Sequence, residues 1–211
     1  MGLADRKERE KADMKLKILE AAKKLFLEKG FEKTSIRNIA DLIEYSPGTI
    51  YLYFKDKNDL LFELHQIAFQ GLILALSSIK LEGNAINRLE DMGNHYIKFA
   101  FENPEMYNLM FIMEAPMESL ACNNDIWDDG MKAFDLLKFL VADCQSEGYL
   151  SAFNLEDASL MIWSSVHGLV ALKSRKRLEM FCESEEDSFH RVMRAFKIFV
   201  ENIKCSLQPI E

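Results

Sequence analysis

The feature that most constrains this chain is a series of apolar stripes recurring every three or four residues, separated by short breaks. Residues 14–29, MKLKILEAAKKLFLEK, put Ile18, Ala22, Leu25 and Phe26 on one side and lysines and glutamates opposite. That is an amphipathic helix, and Gly30 stands where a C-terminal cap belongs. Thr34 and Ser35 offer side-chain oxygens to cap a second helix striped by Ile36, Ile39, Ala40 and Ile43. After a break at residues 44–46, the stretch SPGTIYLYFKDK (46–57) reads as a short third helix. Asp56 then caps a long fourth helix reaching about Ile79, with Leu60, Leu61, Leu64, Ile67 and Ala68 inside.

The pattern continues to the end of the chain. Asn84 or a neighbour starts a fifth helix ending near Glu102, and Pro104 opens a sixth, proline being tolerated in a first turn. A seventh helix spans about Asp125 to Gly148. Asn154 caps an eighth through about Leu178, and Ser184 with Asp187 resembles a capping box for a ninth that runs to about Cys205. Nine helices and only 9 glycines and 4 prolines in 211 residues predict an all-α chain. The reading divides it into a three-helix head, residues 1–58, and a helical body, residues 59–211.

Several function classes are disfavoured by the sequence. No phosphate-cradling glycine loop, nucleophile elbow or metal-ligand spacing is present, so neither an enzyme, a metal site nor a cofactor is expected. Cys122, Cys144, Cys182 and Cys205 form no C-x-x-C pair and read as reduced thiols. The N-terminus lacks the apolar core of a signal peptide, and Arg6 stands where a myristoylation signal needs Ser or Thr. No apolar run approaches the roughly 18–20 residues of a membrane span. A soluble, cytoplasmic protein with no membrane partner is the expectation.

The formal charge of −8 is unevenly placed. Residues 1–60 carry 13 Lys/Arg and 11 Asp/Glu, a net of +2, which leaves −10 on the remainder. A mildly basic head on an acidic body would turn its head towards a polyanion.

Within the head, Ile50 and Phe54 share one face of the short helix and can dock on Ile39 and Ile43, with small Ala40 allowing close approach. Gly48, Thr49, Leu52 and Tyr53 lie on the other side, and Tyr51 on the flank. Two short helices joined by a tight turn describe a helix-turn-helix, or else a plain core-packing hairpin. In the first case the N-terminal residues of the second helix enter the major groove. The missing side chain at Gly48 would permit close backbone approach, and the bare helix start would favour phosphate.

Read in order, Ile18, Ala21-Ala22, Leu25-Phe26, Gly30-Phe31, Thr34-Ser35, Ile39-Ala40, Ser46, Gly48-Thr49, Tyr51, Phe54, Lys57 and Leu60 resemble the N-terminal signature of the tetracycline-repressor (TetR) family. The match covers residues 14–62 at ungapped spacing. The resemblance implies binding of double-stranded operator DNA. Thr34 and Ser35 would lie at the start of the second helix, with Thr34 on phosphate. Pro47, Gly48 and Thr49 would lie at base edges with Leu52 nearby, Ser46 would belong to the same DNA-binding set, and Tyr51, Tyr53 and Lys57 would hold the backbone. Arg37 would assist readout, since Pro47 and Leu52 offer no hydrogen bond to a base. The chain departs from the family at the turn. Ile43 and Glu44 replace a small residue and glycine, and Tyr45 a valine, so a positive φ at Glu44 would carry a conformational cost. The leading segment DRKEREKADMK alternates acids with bases and reads as a solvated tail or helix extension rather than a basic arm.

In the body, MIWSSVHGL (161–169) resembles a Trp-x-x-x-His-Gly signature found in some effector domains of the family. His167 has two readings, a histidine hydrogen-bonded in a core, which is the commoner role, and a ligand contact; Gly168 reads as a close helix crossing. Candidate lining residues for a small-molecule effector are Met92, Tyr96, Phe99, Met110, Met113, Glu114, Trp127, Met131, Phe134, Trp163 and His167. Adaptable methionines and aromatics there would suit an apolar ligand, although a Met-rich stripe is more often core. The resemblance also implies a homodimer through the last two helices, whose Leu160, Val166, Leu169, Val170, Phe189, Val192, Met193, Phe196, Phe199, Val200 and Ile203 supply ample apolar surface. The expected function is a one-component regulator, a repressor released by its ligand. The alternatives are a ligand-dependent activator and a helical sensor or interaction protein.

Overall fold

In the computed structural model, residues 3–79, 82–113 and 128–205 are described, and among them every regular element is helical. Nine α-helices follow in order: α1 Leu3–Lys29, α2 Ile36–Ile43, α3 Pro47–Tyr51, α4 Lys57–Ser77, α5 Ala85–Glu102, α6 Pro104–Tyr107, α7 Asp128–Ser146, α8 Leu155–Ser174 and α9 Glu185–Cys205. A π-helical turn, Asn108–Ile112, follows α6, and a 3₁₀ turn, Arg177–Met180, separates α8 from α9. The eighth helix stops earlier than the apolar pattern suggests because Lys176 takes a left-handed conformation, φ 58°.

The helices form two compact units, and the division is not at residue 58. The first unit takes residues 3–68 together with 108–113, and the second takes the described residues from 69 to 107 and from 128 to 205. The reason is packing. Leu60, Leu61 and Leu64, the opening turns of α4, are buried in one cluster with Ile18, Phe26, Ile39, Ile50 and Leu109 of the π-turn. Although no run was expected to be long and apolar enough to span a membrane, α4 is so by length and composition. Its Leu60, Leu61 and Leu64 are instead core residues of the first unit, and Phe69, Leu72 and Leu76 are buried too.

Local chemistry sets the ends of the elements. Gly30 adopts φ +82° and closes α1, its N–H donating to the Phe26 carbonyl at 3.0 Å. Ser35 caps α2 with Asn38 completing a capping box, Ser46 caps α3, and Asp56 Oδ1 accepts the N–H groups of Asn58 and Asp59. The leading charged segment is an extension of α1, with Arg6 and Glu10 ion-paired at 2.7 Å one turn apart.

In the second unit α5 packs against α7, α8 and α9. Asn84 caps it, and both oxygens of Glu147 accept the Ala85 N–H at 2.9 Å. Arg88 pairs with Asp143 at 2.8 Å. The close helix crossing lies here, not at Gly168. A Cβ built on Gly168 meets nothing within 4 Å, whereas one on Gly93 would fall onto Cε1 and Cζ of Phe196 in α9.

His65, on α4 in the first unit, is 7% exposed and shares a hydrogen bond with the backbone of Leu109. Burial lowers its pKa from 6.5 to about 4. Above pH 6.5 the ring is neutral whether the chain is folded or not. As pH falls from 6.5 towards 4, the unfolded chain takes up a proton that the folded chain refuses, so stability falls. That loss is about 2–3 kcal/mol across the interval. Urea unfolding at neutral and acidic pH should therefore show a smaller acid loss in His65→Gln than in the wild type; equal losses would assign the effect to other groups.

Candidate functional site

The first candidate surface is the start of α3. Ile50 and Phe54 are buried at 0% and 2% exposure, which fixes the helix on the core through its inner face. The outer face carries exposed Gly48, Tyr51 and Leu52, the last 78% exposed. Ser46 Oγ accepts the Thr49 N–H at 3.2 Å and lies 3.0 Å from the Thr49 hydroxyl, so the helix start is ordered before any partner arrives. Ser35 and Arg37 at the start of α2 are exposed, while Pro47, Thr49 and Tyr53 are half-buried.

The turn that aims α3 is built on the residue the sequence marks as unusual. Glu44 adopts φ 61°, ψ 42°, and the Tyr45 N–H reaches the Ala40 carbonyl at 3.0 Å, the geometry usually given to glycine after a helix. The chain keeps the left-handed cap and accepts its cost. Glu44→Gly is expected to stabilise the protein by about 0.5–1 kcal/mol, the relief of left-handed strain exceeding glycine's added chain entropy. Urea unfolding monitored by circular dichroism measures this; a loss of stability would mean that the Glu44 side chain contributes more than its backbone costs.

Two expected contacts are revised by what their side chains already do. Thr34 is 2% exposed, and its hydroxyl donates to the carbonyls of Leu25 and Gly30 at 3.2 and 2.8 Å, tying the loop to the end of α1. It is an internal clamp, and at 2% exposure it presents almost no surface to a partner. Lys57 Nζ donates to the Phe31 carbonyl at 2.7 Å and lies 4.1 Å from the Phe31 ring centroid, so it holds α4 to the α1–α2 loop. Replacing Lys57 would therefore loosen the fold as well as remove a cation. One contact was not anticipated: Lys17 Nζ lies 4.9 Å from the Tyr45 ring centroid, so the aromatic residue in the turn is held from α1.

The second candidate surface lies in the second unit and is a run of rings. Tyr96 of α5 and Tyr107 of α6 meet edge to face at 6.3 Å. His167 lies 5.6 Å from Tyr107 and 5.7 Å from Trp163, and Trp163 lies 6.0 Å from Phe134 of α7. His167 Nδ1 is within hydrogen-bond distance of the Tyr96 hydroxyl at 2.9 Å and the Tyr107 hydroxyl at 3.1 Å. Burial lowers the His167 pKa and raises those of both phenols, so all three groups are neutral at physiological pH.

The candidate ligand residues separate accordingly. Tyr96, Phe134, Trp163 and His167 come together. Phe99 is buried against Gly71, where a Cβ would lie 3.4 Å from its ring, and Met92 is 5% exposed in the same unit. Met131 is 49% exposed on α7, so it lines no core of this unit. Met110 and Met113 belong to the first unit, Met113 packing on the core around Ile18 and Phe26, because the π-turn draws them there. Glu114 and Trp127 lie outside the described residues. Tyr107 is absent from the sequence expectation. The signal for it was available, since a tyrosine in an apolar segment needs a polar partner for its hydroxyl and the Trp-x-x-x-His-Gly stretch supplies one. Among the described residues no group of His, Cys, Asp or Glu is placed to hold a metal ion.

Family models match two parts of this chain. A family model described as "Bacterial regulatory proteins, tetR family" matches residues 18–64, and one described as "Tetracyclin repressor-like, C-terminal domain" matches residues 89–196. The chain is 34% identical over 68 residues to the transcriptional regulator YuxN of Bacillus subtilis, a match covering 32% of this chain and 23% of YuxN. It is 40% identical over 55 residues to the transcriptional regulator QacR of Staphylococcus aureus, covering 26% and 29%. The chain thus spans less than a third of these curated relatives. Solved structures with the same fold include the fatty acid degradation regulator FadR of Bacillus halodurans, at TM-score 0.71 and 20% identity over 88% of this chain and 94% of that one. PfmR of Thermus thermophilus has TM-score 0.67 and 18% identity over 87% and 97%. With one family model matching the head and another matching more than half of the chain, this protein belongs to the TetR family of transcriptional regulators.

Proposed function

We propose that this regulator is a repressor that binds a palindromic operator as a homodimer and is released when the second unit takes up a small, apolar molecule. The observation that carries the reading is the outer face of α3. Gly48, Tyr51 and Leu52 are exposed while Ile50 and Phe54 lock the helix behind them. A short helix with an exposed, ordered N-terminal end is what the major groove accepts. Ser35, Arg37, Ser46, Pro47, Thr49 and Tyr53 surround it as further contacts, and their site in the cell is the cytoplasm, where operator DNA lies. Thr34 is removed from this set and Lys57 contributes as a positioned cation.

Dimer formation uses α8 and α9. Val166, Val170, Val192, Phe196, Val200 and Ile203 are consumed by the chain's own core. What remains for a second copy is Leu160, Met161 and Leu172 of α8 and Ile198 of α9, between 42% and 64% exposed, with half-buried Leu169, Met193 and Phe199 beside them. The ring cluster of the second unit supports the effector role, with Tyr96, Phe134, Trp163 and His167 as contacts. A coupling of about 1–3 kcal/mol between effector and operator would suffice for regulation.

Tyr51→Phe tests the DNA surface cleanly, because Tyr51 is 57% exposed and its hydroxyl supports nothing inside. Loss of that hydroxyl should weaken binding to operator and to unrelated DNA alike, by about threefold to tenfold, with unfolding unchanged. Fluorescence anisotropy against both DNAs checks it; unchanged affinity would remove Tyr51 from the interface.

A further inference from the structure

The ring cluster of the second unit carries a charge preference as well as a shape. Tyr107 is 1% exposed and Tyr96 6%, whereas Phe134, Trp163 and His167 are half-buried. The run thus has a closed end of phenols and a more open end of phenyl, indole and imidazole rings. Its polar atoms are uncharged throughout. The two hydroxyls converge on His167 Nδ1 at 2.9 and 3.1 Å, the Tyr107 hydroxyl also lies 3.3 Å from the His167 carbonyl, and Trp163 hydrogen-bonds Tyr96. Lys138, over the Phe134 ring at 5.6 Å, is held in an ion pair with Asp135 at 2.7 Å.

We propose that this cluster recognises an uncharged ligand, a ring or short hydrocarbon bearing one hydroxyl or amide group, and rejects carboxylates of the same shape. The inference rests on the second unit being the effector-binding body and narrows what that body takes. A hydrocarbon skeleton gains by leaving water for aromatic faces. Its single polar group joins a network whose phenols both donate and accept, so a hydroxyl or an amide finds a partner in either role. A carboxylate has no such exchange. It would leave water for ring faces that repel an anion and for hydrogen-bonding groups that are all neutral among the described residues of the run, at a cost well above that of one hydrogen bond. The lowered pKa of His167, caused by burial, removes the imidazolium that a carboxylate would otherwise find there.

The test uses matched probes that differ in charge alone. Alcohol and carboxylate forms of cyclohexylmethyl, benzyl, naphthylmethyl and decyl skeletons are titrated into the full chain by calorimetry near neutral pH. The alcohol of at least one skeleton should bind tenfold or more tightly than its carboxylate, a difference of about 1.4 kcal/mol. Tyr107→Phe should weaken that alcohol by about tenfold and leave the carboxylate unchanged; should that variant fold poorly, Tyr96→Phe carries the same expectation. A carboxylate binding as tightly as its alcohol would overturn the charge class while leaving effector binding intact. Silence from every probe would overturn the effector-binding reading itself, and the proposal with it.

Discussion

Replacing Gly93 with alanine is expected to destabilise the second unit by about 2 kcal/mol, although alanine is the better helix former. Gly93 lies inside α5, where propensity alone would favour alanine by about 1 kcal/mol. Against this, the added Cβ lands on the ring of Phe196, which is 0% exposed and has no room to retreat. Overpacking a closed core costs typically about 1–3 kcal/mol, and a direct overlap with a ring belongs at the upper end. The packing effect therefore wins, with a fall in melting temperature of about 4–8 °C for a chain of this size. Phe196→Ala alone should cost about 3–5 kcal/mol. The double variant should cost at least about 1 kcal/mol less than the two singles added together, because the methyl fills part of the space the ring vacates. A rise in melting temperature for Gly93→Ala would mean that α5 and α9 do not approach this closely.

Gly48→Glu is expected to abolish operator binding, at least a hundredfold, without unfolding the protein. A Cβ at Gly48 lies 3.6 Å from Ser46 Oγ, an ordinary contact, and the position is exposed, so the folded chain accepts a side chain there. DNA would not. The glutamate adds bulk between α3 and the groove and sets a negative charge among phosphates, where bound cations supply much of the affinity. Gly48→Ala should lie between, separating bulk from charge. Full operator binding by Gly48→Glu, with an unchanged melting temperature, would show that α3 does not enter the groove by its N-terminal end.

What was legible from the residues alone follows physical range. Caps and turns depend on neighbours within five residues, so Gly30, Ser35, Ser46, Asp56, Asn84 and Asn154 were readable, and so was the cost at Glu44. Apolar spacing predicted that Ile50 of α3 and Phe54, just beyond the end of that helix, both turn into the core. Contacts between helices distant in sequence were not readable. Glycine marks a close approach at Gly93 and an open face at Gly168, and only the position of Phe196 tells them apart. Thr34 and Lys57 carry the expected chemical groups, but the carbonyls of Leu25, Gly30 and Phe31 claim them first. Met110 and Met113 follow Tyr107 closely in sequence, yet they pack with the first unit while Tyr107 holds His167 in the second. The ligand residues were chosen by composition, and composition does not say which core a side chain joins.

The measurement that bears most directly on the account is fluorescence anisotropy of the full chain with DNA from upstream of its own gene, against a scrambled duplex, at two salt concentrations. A sequence-specific regulator should bind the upstream duplex at least about a hundredfold more tightly than the scrambled one, with affinity falling steeply as salt rises. Equal, weak binding to both duplexes, persisting after selection from random sequence, would contradict the assignment of α3 as a reader of DNA.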